Sequence, residues 1–430
     1  MPLRSPVRGW RLAHVILGCL LATAQAVSAQ GRPDTLVLTR RGAVDTALAH
    51  NPSLAVAREQ VEQARARAVQ AAAFPDPSVS GLTTLSGPES NTGTDLGVSL
   101  TVPFPQKFQL KRSVSRGDVQ AAEFSYVQLR QATAAQTVQA YDALLVALKH
   151  QEDLEQGKAL AEEFLQKTQY RFEGGTAARL DVLKAKVDAA AAQNALIANE
   201  RDISNARAGL NRLLGRSLGA MVVAGDSLEV PRDLPELDPL IATAGASRPE
   251  LRGLSSQRAG ARAATTLASQ YWLPDLSIGF DKTIFPENSI AYSGSIGFTV
   301  PLFFWNHQRG EVAESRHHER ELEAAYRDLA AQVEQDVRTA YASAATALRQ
   351  AQYLRDELLP EARRAYTIAL TSYGLGGSSA LDVLDARRTL LDAESQFADA
   401  LGAANDARAD LERAVGVPWD PASAGEPHDH

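Results

Sequence analysis

The sequence carries the same order of landmarks twice. Pro75-Asp76-Pro77-Ser78-Val79 recurs as Pro274-Asp275-Leu276-Ser277-Ile278. Thr101-Val102-Pro103-Phe104 recurs as Thr299-Val300-Pro301-Leu302. Leu180-Asp181-Val182-Leu183 recurs as Leu381-Asp382-Val383-Leu384, and Arg212-Leu213-Leu214-Gly215 as Arg413-Ala414-Val415-Gly416. The offsets are 199, 198, 201 and 201 residues, so one unit has been duplicated whole. The first copy spans 30–221 and the second 240–420. Between them, 222–239 holds Gly225, Pro231, Pro235 and Pro239 and reads as a linker. Residues 421–430 read as a flexible tail.

Each copy repeats one element order: a helix, a two-strand hairpin, then a very long helical hairpin. The first helix is expected over Val44 to Ala73, punctuated by Asn51-Pro52, and over Leu240 to Ser269, punctuated by Arg248-Pro249. Period-two alternation then predicts strands over 77–85 and 95–104 in the first copy, and over 275–285 and 290–303 in the second. Leu96, Val98, Leu100 and Val102 alternate with Gly97, Ser99, Thr101 and Pro103; Ile296, Phe298 and Val300 alternate with Ser295, Gly297 and Thr299. From Gln106 to Phe172 there is no proline. An unbroken helix of that length reaches roughly 100 Å. Its counterpart, about Gly310 to Tyr373, contains Pro360, where a kink or break is expected. The glycine pairs Gly174-Gly175 and Gly376-Gly377 then reverse the chain into return helices ending near Gly215 and Gly416. The fold class is mainly α with a small β part.

Composition narrows the setting. No run beyond the N-terminal segment is long and apolar enough for a membrane-spanning helix. The net charge of −7 argues against a nucleic-acid partner. One cysteine excludes a disulfide framework and a cysteine-based zinc site. Residues 1–29 read as an export signal, with Arg4, Arg8 and Arg11 ahead of an apolar Leu12 to Ala24 and a small-x-small site at Val27-Ser28-Ala29. Lipid attachment at Cys19 is the alternative.

Exported strands of about ten residues, apolar on one face and small on the other, match membrane β-strands. A soluble sandwich with one wet face is the alternative reading. Aromatic residues at the strand ends, Tyr271-Trp272 and Phe303-Phe304-Trp305, resemble interfacial girdles. Four strands cannot close a barrel, and open edges are not tolerated in lipid. Two chains give eight strands, three twelve, four sixteen. An eight-stranded barrel is filled by its own side chains, so a conduit needs at least three chains.

In this order of elements the chain resembles the outer-membrane efflux protein family, the TolC-like channels. The sharpest motif is Tyr373-Gly374-Leu375-Gly376-Gly377-Ser378-Ser379-Ala380-Leu381-Asp382-Val383-Leu384-Asp385-Ala386-Arg387. Pro103 to Arg112 and Asn306 to Ala313 further resemble the subgroup serving heavy-metal and related cation exporters. The resemblance implies a homotrimer in which a twelve-stranded outer-membrane β-barrel continues as a periplasmic α-helical barrel. It implies as partners outer-membrane lipid, a periplasmic adaptor protein and an inner-membrane pump. It implies a passive conduit with no cofactor and no enzymatic activity. Polypeptide secretion, or a non-transporting periplasmic coiled-coil protein, are the alternatives.

The resemblance also assigns residues. Asp382 and Asp385, at i and i+3 on one helix face, match acids that constrict the periplasmic entrance, and Tyr373 matches a gate tyrosine. Three copies place six carboxylates there, suited to cations. The alternative for Asp382 is a helix N-terminal acid, which fits Asp181 better because Lys184 follows it. Where a well-known pattern in the family has arginine, this chain has Ser378, so Arg387 or Arg388 is a candidate substitute in the gate. Gly174, Gly175, Leu375, Gly376 and Gly377 match adaptor-docking tips; an ordinary left-handed helix cap explains the glycines equally. His307, His317, His318 and His428-Asp429-His430 read as solvated histidines rather than a metal site. No nucleophile–base pair, phosphate loop or HExxH motif is present.

Overall fold

The computed structural model describes residues 36–83, 94–285, 289–299 and 307–417. The expected signal, the tail, the outer end of the second-copy strand and the Phe303-Phe304-Trp305 cluster lie outside these residues.

The first copy runs β1 (Leu36–Leu38), α1 (Arg40–His50), α2 (Pro52–Ala71), β2 (Ser78–Thr83), β3 (Thr94–Val102), α3 (Pro105–Glu173) and α4 (Arg179–Leu213). The second runs β4 (Val222–Ala224), α5 (Leu237–Ser247), α6 (Pro249–Ser269), β5 (Asp275–Ile284), β6 (Ile290–Thr299), α7 (His307–Tyr353), a π-helical turn (Leu354–Leu358), α8 (Leu359–Leu375) and α9 (Ala380–Val415). Each expected opening helix is therefore two helices. Asn51 ends α1 and caps α2 through its side-chain oxygen, which accepts from Ser53 N at 2.8 Å. Pro52 follows at a position where a missing N–H costs nothing. Arg248 and Pro249 make the same break between α5 and α6.

Residues 222–239 are more ordered than a plain linker. Val222–Ala224 pairs in parallel with Leu36–Leu38, and the Tyr141 hydroxyl donates to Leu38 O at 2.8 Å. Three-residue strands are too short for periodicity to register. The strand ties the start of one copy to the start of the other.

The four longer strands form one antiparallel sheet in the order β2-β3-β5-β6. β3 pairs with β5 across the repeats, with Val98 opposite Phe280 and Leu100 opposite Ile278. β2 begins after Pro77 and β3 ends before Pro103, because proline brings no ladder donor. One face carries Val79, Val98, Ile278, Phe280, Ile296 and Phe298; Val79 is 77% exposed and Ile296 75%. Leaving such side chains in water costs about 1.5–3 kcal/mol each relative to burial, so this face needs an apolar cover. Lys282 interrupts it only near the β5–β6 connection, where a long side chain can reach polar surroundings. The opposite face carries Ser78, Ser80, Ser99, Ser277 and Ser295, with the Ser78 and Ser99 hydroxyls 2.7 Å apart. Strands β2 and β6 are the two outer edges.

α3 is a single helix of 69 residues. Gly117 does not break it; a Cβ there would stand 2.8 Å from Ser256 O, so glycine lets α6 lie against α3. Residues 307–375 make a rod of matching length, interrupted at the expected place. Pro360 has no N–H and its ring crowds the carbonyl four residues back. The preceding turn relaxes to π spacing, with Leu359 N–H bonded to Leu354 O. Among the described residues no helix is long and apolar enough to cross a membrane. The long hairpins thus stand outside any bilayer that covers the sheet.

Candidate functional site

The far ends of the two hairpins hold most of the residues singled out by sequence. At the first tip, Gly174 stays near helical φ (−76°), while Gly175 takes φ +73°. Thr176 N–H closes the turn on Arg171 O at 2.8 Å. At the second tip Gly376 takes φ +85°. Gly377 N–H then reaches Ser372 O at 2.8 Å, satisfying a carbonyl at the helix end. Leu375 is 86% exposed at the apex.

The return helix α9 opens with a reciprocal cap. Ser379 Oγ accepts from Asp382 N at 3.2 Å, and the Asp382 carboxylate accepts from Ser379 N at 2.8 Å and from Ser379 Oγ at 2.8 Å. These bonds, the backbone one first, hold the Asp382 carboxyl below its ordinary pKa. Asp382 therefore caps a helix, yet it remains exposed beside Asp385. Val383, Arg387 and Leu390 take the buried positions of the same helix, so both acids face away from the core. Ser378 does not replace a gate arginine here; its hydroxyl donates to Ala369 O at 2.9 Å and pins the turn to α8.

Tyr373 is 2% exposed. Its ring packs on Phe164 of α3, with centroids 5.4 Å apart, and the Arg171 guanidinium lies 4.4 Å from its centroid. Arg171 also donates to Tyr373 O, and to Thr176 O at 3.1 Å. The expected gate tyrosine thus sits inside the protomer, between the two hairpins.

Arg387 is placed differently from the gate role expected of it. It is 5% exposed, donates to Gly157 O at 3.2 Å and forms an ion pair with Asp188 of α4. Its side chain is committed to the interior, which leaves Arg388 as the exposed arginine of the pair. Close by, burial and then the charge of Glu163 push the Tyr366 hydroxyl up to about 12. Above Gly157, a groove of about 720 Å³ separates α4 from α9 and is lined by Leu183, Val187, Leu384, Asp385 and Leu391. Sequence reasoning missed Arg171, Asp188 and Ser379. Only Ser379 carried a local signal, a serine three residues before an acid at a helix start. Among the described residues no cluster of histidine, cysteine or acid side chains is arranged to hold a metal.

The sequence model of the outer membrane efflux proteins matches residues 43–216 and again 240–417. The chain belongs to that family. Both matches coincide with the duplicated units, so the whole helical and strand framework is family material. The cobalt-zinc-cadmium resistance protein CzcC of Cupriavidus metallidurans is 24% identical over 391 residues, covering 88% of this chain and 90% of the relative. The pyoverdine export outer membrane protein OpmQ of Pseudomonas putida is 25% identical over 268 residues, 60% of this chain and 56% of the relative. Among solved structures, the transmembrane channel CusC superposes with a TM-score of 0.76 at 18% identity, covering 89% of this chain and 94% of CusC. This outer-membrane efflux protein is a passive channel component, not an enzyme.

Proposed function

We propose that three copies of the chain form one duct, with twelve strands in the outer membrane and their helical hairpins joined as a tunnel in the periplasm. The reading rests on one observation: the four-stranded sheet has two unpaired edges and an exposed apolar face. An edge in lipid leaves backbone groups unsatisfied, at a cost of several kcal/mol each. Pairing β6 of one copy with β2 of the next removes every edge. Three copies is the smallest number that leaves a lumen.

In this assembly the duct passes what an inner-membrane pump and a periplasmic adaptor deliver. The adaptor meets the tips around Gly174, Gly175, Leu375, Gly376 and Gly377. Asp382 and Asp385 ring the entrance and favour cations. Divalent metal ions are the proposed cargo, supported by the acid pair and by the name of the Cupriavidus relative. Two experiments test this. A deletion strain is expected to be hypersensitive to cobalt, zinc or cadmium and to recover when the gene is restored; sensitivity to lipophilic drugs alone would remove the metal assignment. In planar bilayers, Asp382→Asn with Asp385→Asn is expected to weaken divalent-cation block of the current. Unchanged block would refute the acid ring.

A further inference from the structure

The two hairpins of one chain touch along far more than their tips. α3 of the first and α9 of the second run antiparallel in one steady register. Gln131 Nε2 donates to Gly416 O at 2.6 Å. Further along, a Cβ placed on Gly402 stands 3.9 Å from Val146 Cβ. His150 Nε2 and Asp399 Oδ1 lie 2.9 Å apart. Next, a Cβ on Gly157 stands 3.6 Å from Leu391 Cγ. Nearest the tips, one buried cluster contains Phe164 and Ala185 of the first hairpin with Tyr366, Tyr373, Val383 and Leu390 of the second.

Two arginines then cross this seam in opposite directions. Arg171 leaves the first hairpin to hold the ring and carbonyl of Tyr373 in the second. Arg387 leaves the second to pair with Asp188 and Gly157 O in the first. Pulling the hairpins apart strands the Arg387 and Asp188 charges in apolar surroundings and opens a shared core to water. Each penalty is avoided if the hairpins move together.

We propose that Arg171 and Arg387 are positioning residues that bind both hairpins of a protomer into one body, so that the entrance changes width at the boundaries between protomers. This rests on the duct reading above. Motion within a protomer would have to break two cross-ties and the core between them; motion between protomers breaks neither.

Engineered disulfides test it, since Cys19 is the only cysteine in the sequence and lies in the expected signal. Gly157→Cys with Leu391→Cys bridges the hairpins near the entrance, and Val146→Cys with Gly402→Cys bridges them farther away; both spacings suit a disulfide. The probe is the full chain in planar bilayers, recorded oxidised and then reduced, with bridge formation confirmed by mass. The expected result is the same set of conductance levels in both states. Loss of the higher levels on oxidation, restored by reductant, would overturn the proposal. Arg387→Gln is expected to widen the spread of levels, and the charge swap Arg387→Asp with Asp188→Arg to narrow it again. An unchanged spread in Arg387→Gln would also overturn it; if that variant does not fold, the cysteine pairs still decide. Failure of the unaltered chain to conduct at all would refute the duct itself, and the inference with it.

Discussion

The two hairpin tips solve one folding problem with different side chains. Both end a rod of equal length, both reverse through a left-handed glycine, and both start the return helix three residues before an aspartate. In the first, Ala178 has no oxygen to offer, and only Asp181 contributes, accepting from Ala178 N at 3.3 Å. In the second, Ser379 completes the exchange with Asp382. Beyond the cap the first copy places Lys184 and Lys186 where the second places Asp385 and Arg387. Backbone geometry dictates the turn, so both copies keep it. The charges are free of that demand, and they differ.

The largest expected contrast is at the last of these positions. Arg387→Ala leaves Asp188 as an uncompensated, largely buried carboxylate, a loss of about 3–5 kcal/mol. Its counterpart Lys186 is exposed, so Lys186→Ala should stay within about 0.5 kcal/mol of the unaltered protein. Chemical unfolding in detergent, followed by helical circular dichroism, measures both; equal losses would break the comparison. Next come the glycines. Gly175→Ala and Gly376→Ala each force a side chain into left-handed backbone and should cost about 1–2 kcal/mol. Gly174→Ala, at ordinary φ, should cost far less by the same measurement. The caps rank third. Ser379→Ala should lose about 1 kcal/mol, and Ala178→Ser, the reciprocal change in the other copy, should gain a similar amount.

The smallest effect is in pH dependence. The Asp382 carboxyl has a depressed pKa in the folded state, held there by Ser379. The folded state therefore releases this proton more readily than the unfolded chain. Its contribution is present above roughly pH 4 and is lost as pH falls through the depressed value. Ser379→Ala should flatten the acid limb of the stability profile in that window. An unaltered limb would show that the cap bonds do not persist in solution.

Much of this architecture was legible in the sequence because long-range pattern wrote it. The duplication gave the element order, period-two alternation gave four strands, and Pro360 gave the interruption in the second rod. What escaped was short or tertiary. Three-residue β4 has no period to detect, and Asn51 reads as punctuation until its bond to Ser53 appears. The acid pair was readable as an exposed helix face. Arg387 was misplaced because its motif position says nothing about which way it points. Only the packing of α4 and α9 over Gly157 reveals Asp188 as its partner. Arg171 was missed for the same reason, since its partner Tyr373 lies 202 residues away.

The central claim is that three such chains make one duct. The native mass of the detergent-extracted protein tests it most directly. The account predicts three copies per particle, closing twelve strands around a lumen. A two-copy particle would close only eight strands over a filled interior, and a single copy would leave both sheet edges open; either would contradict it.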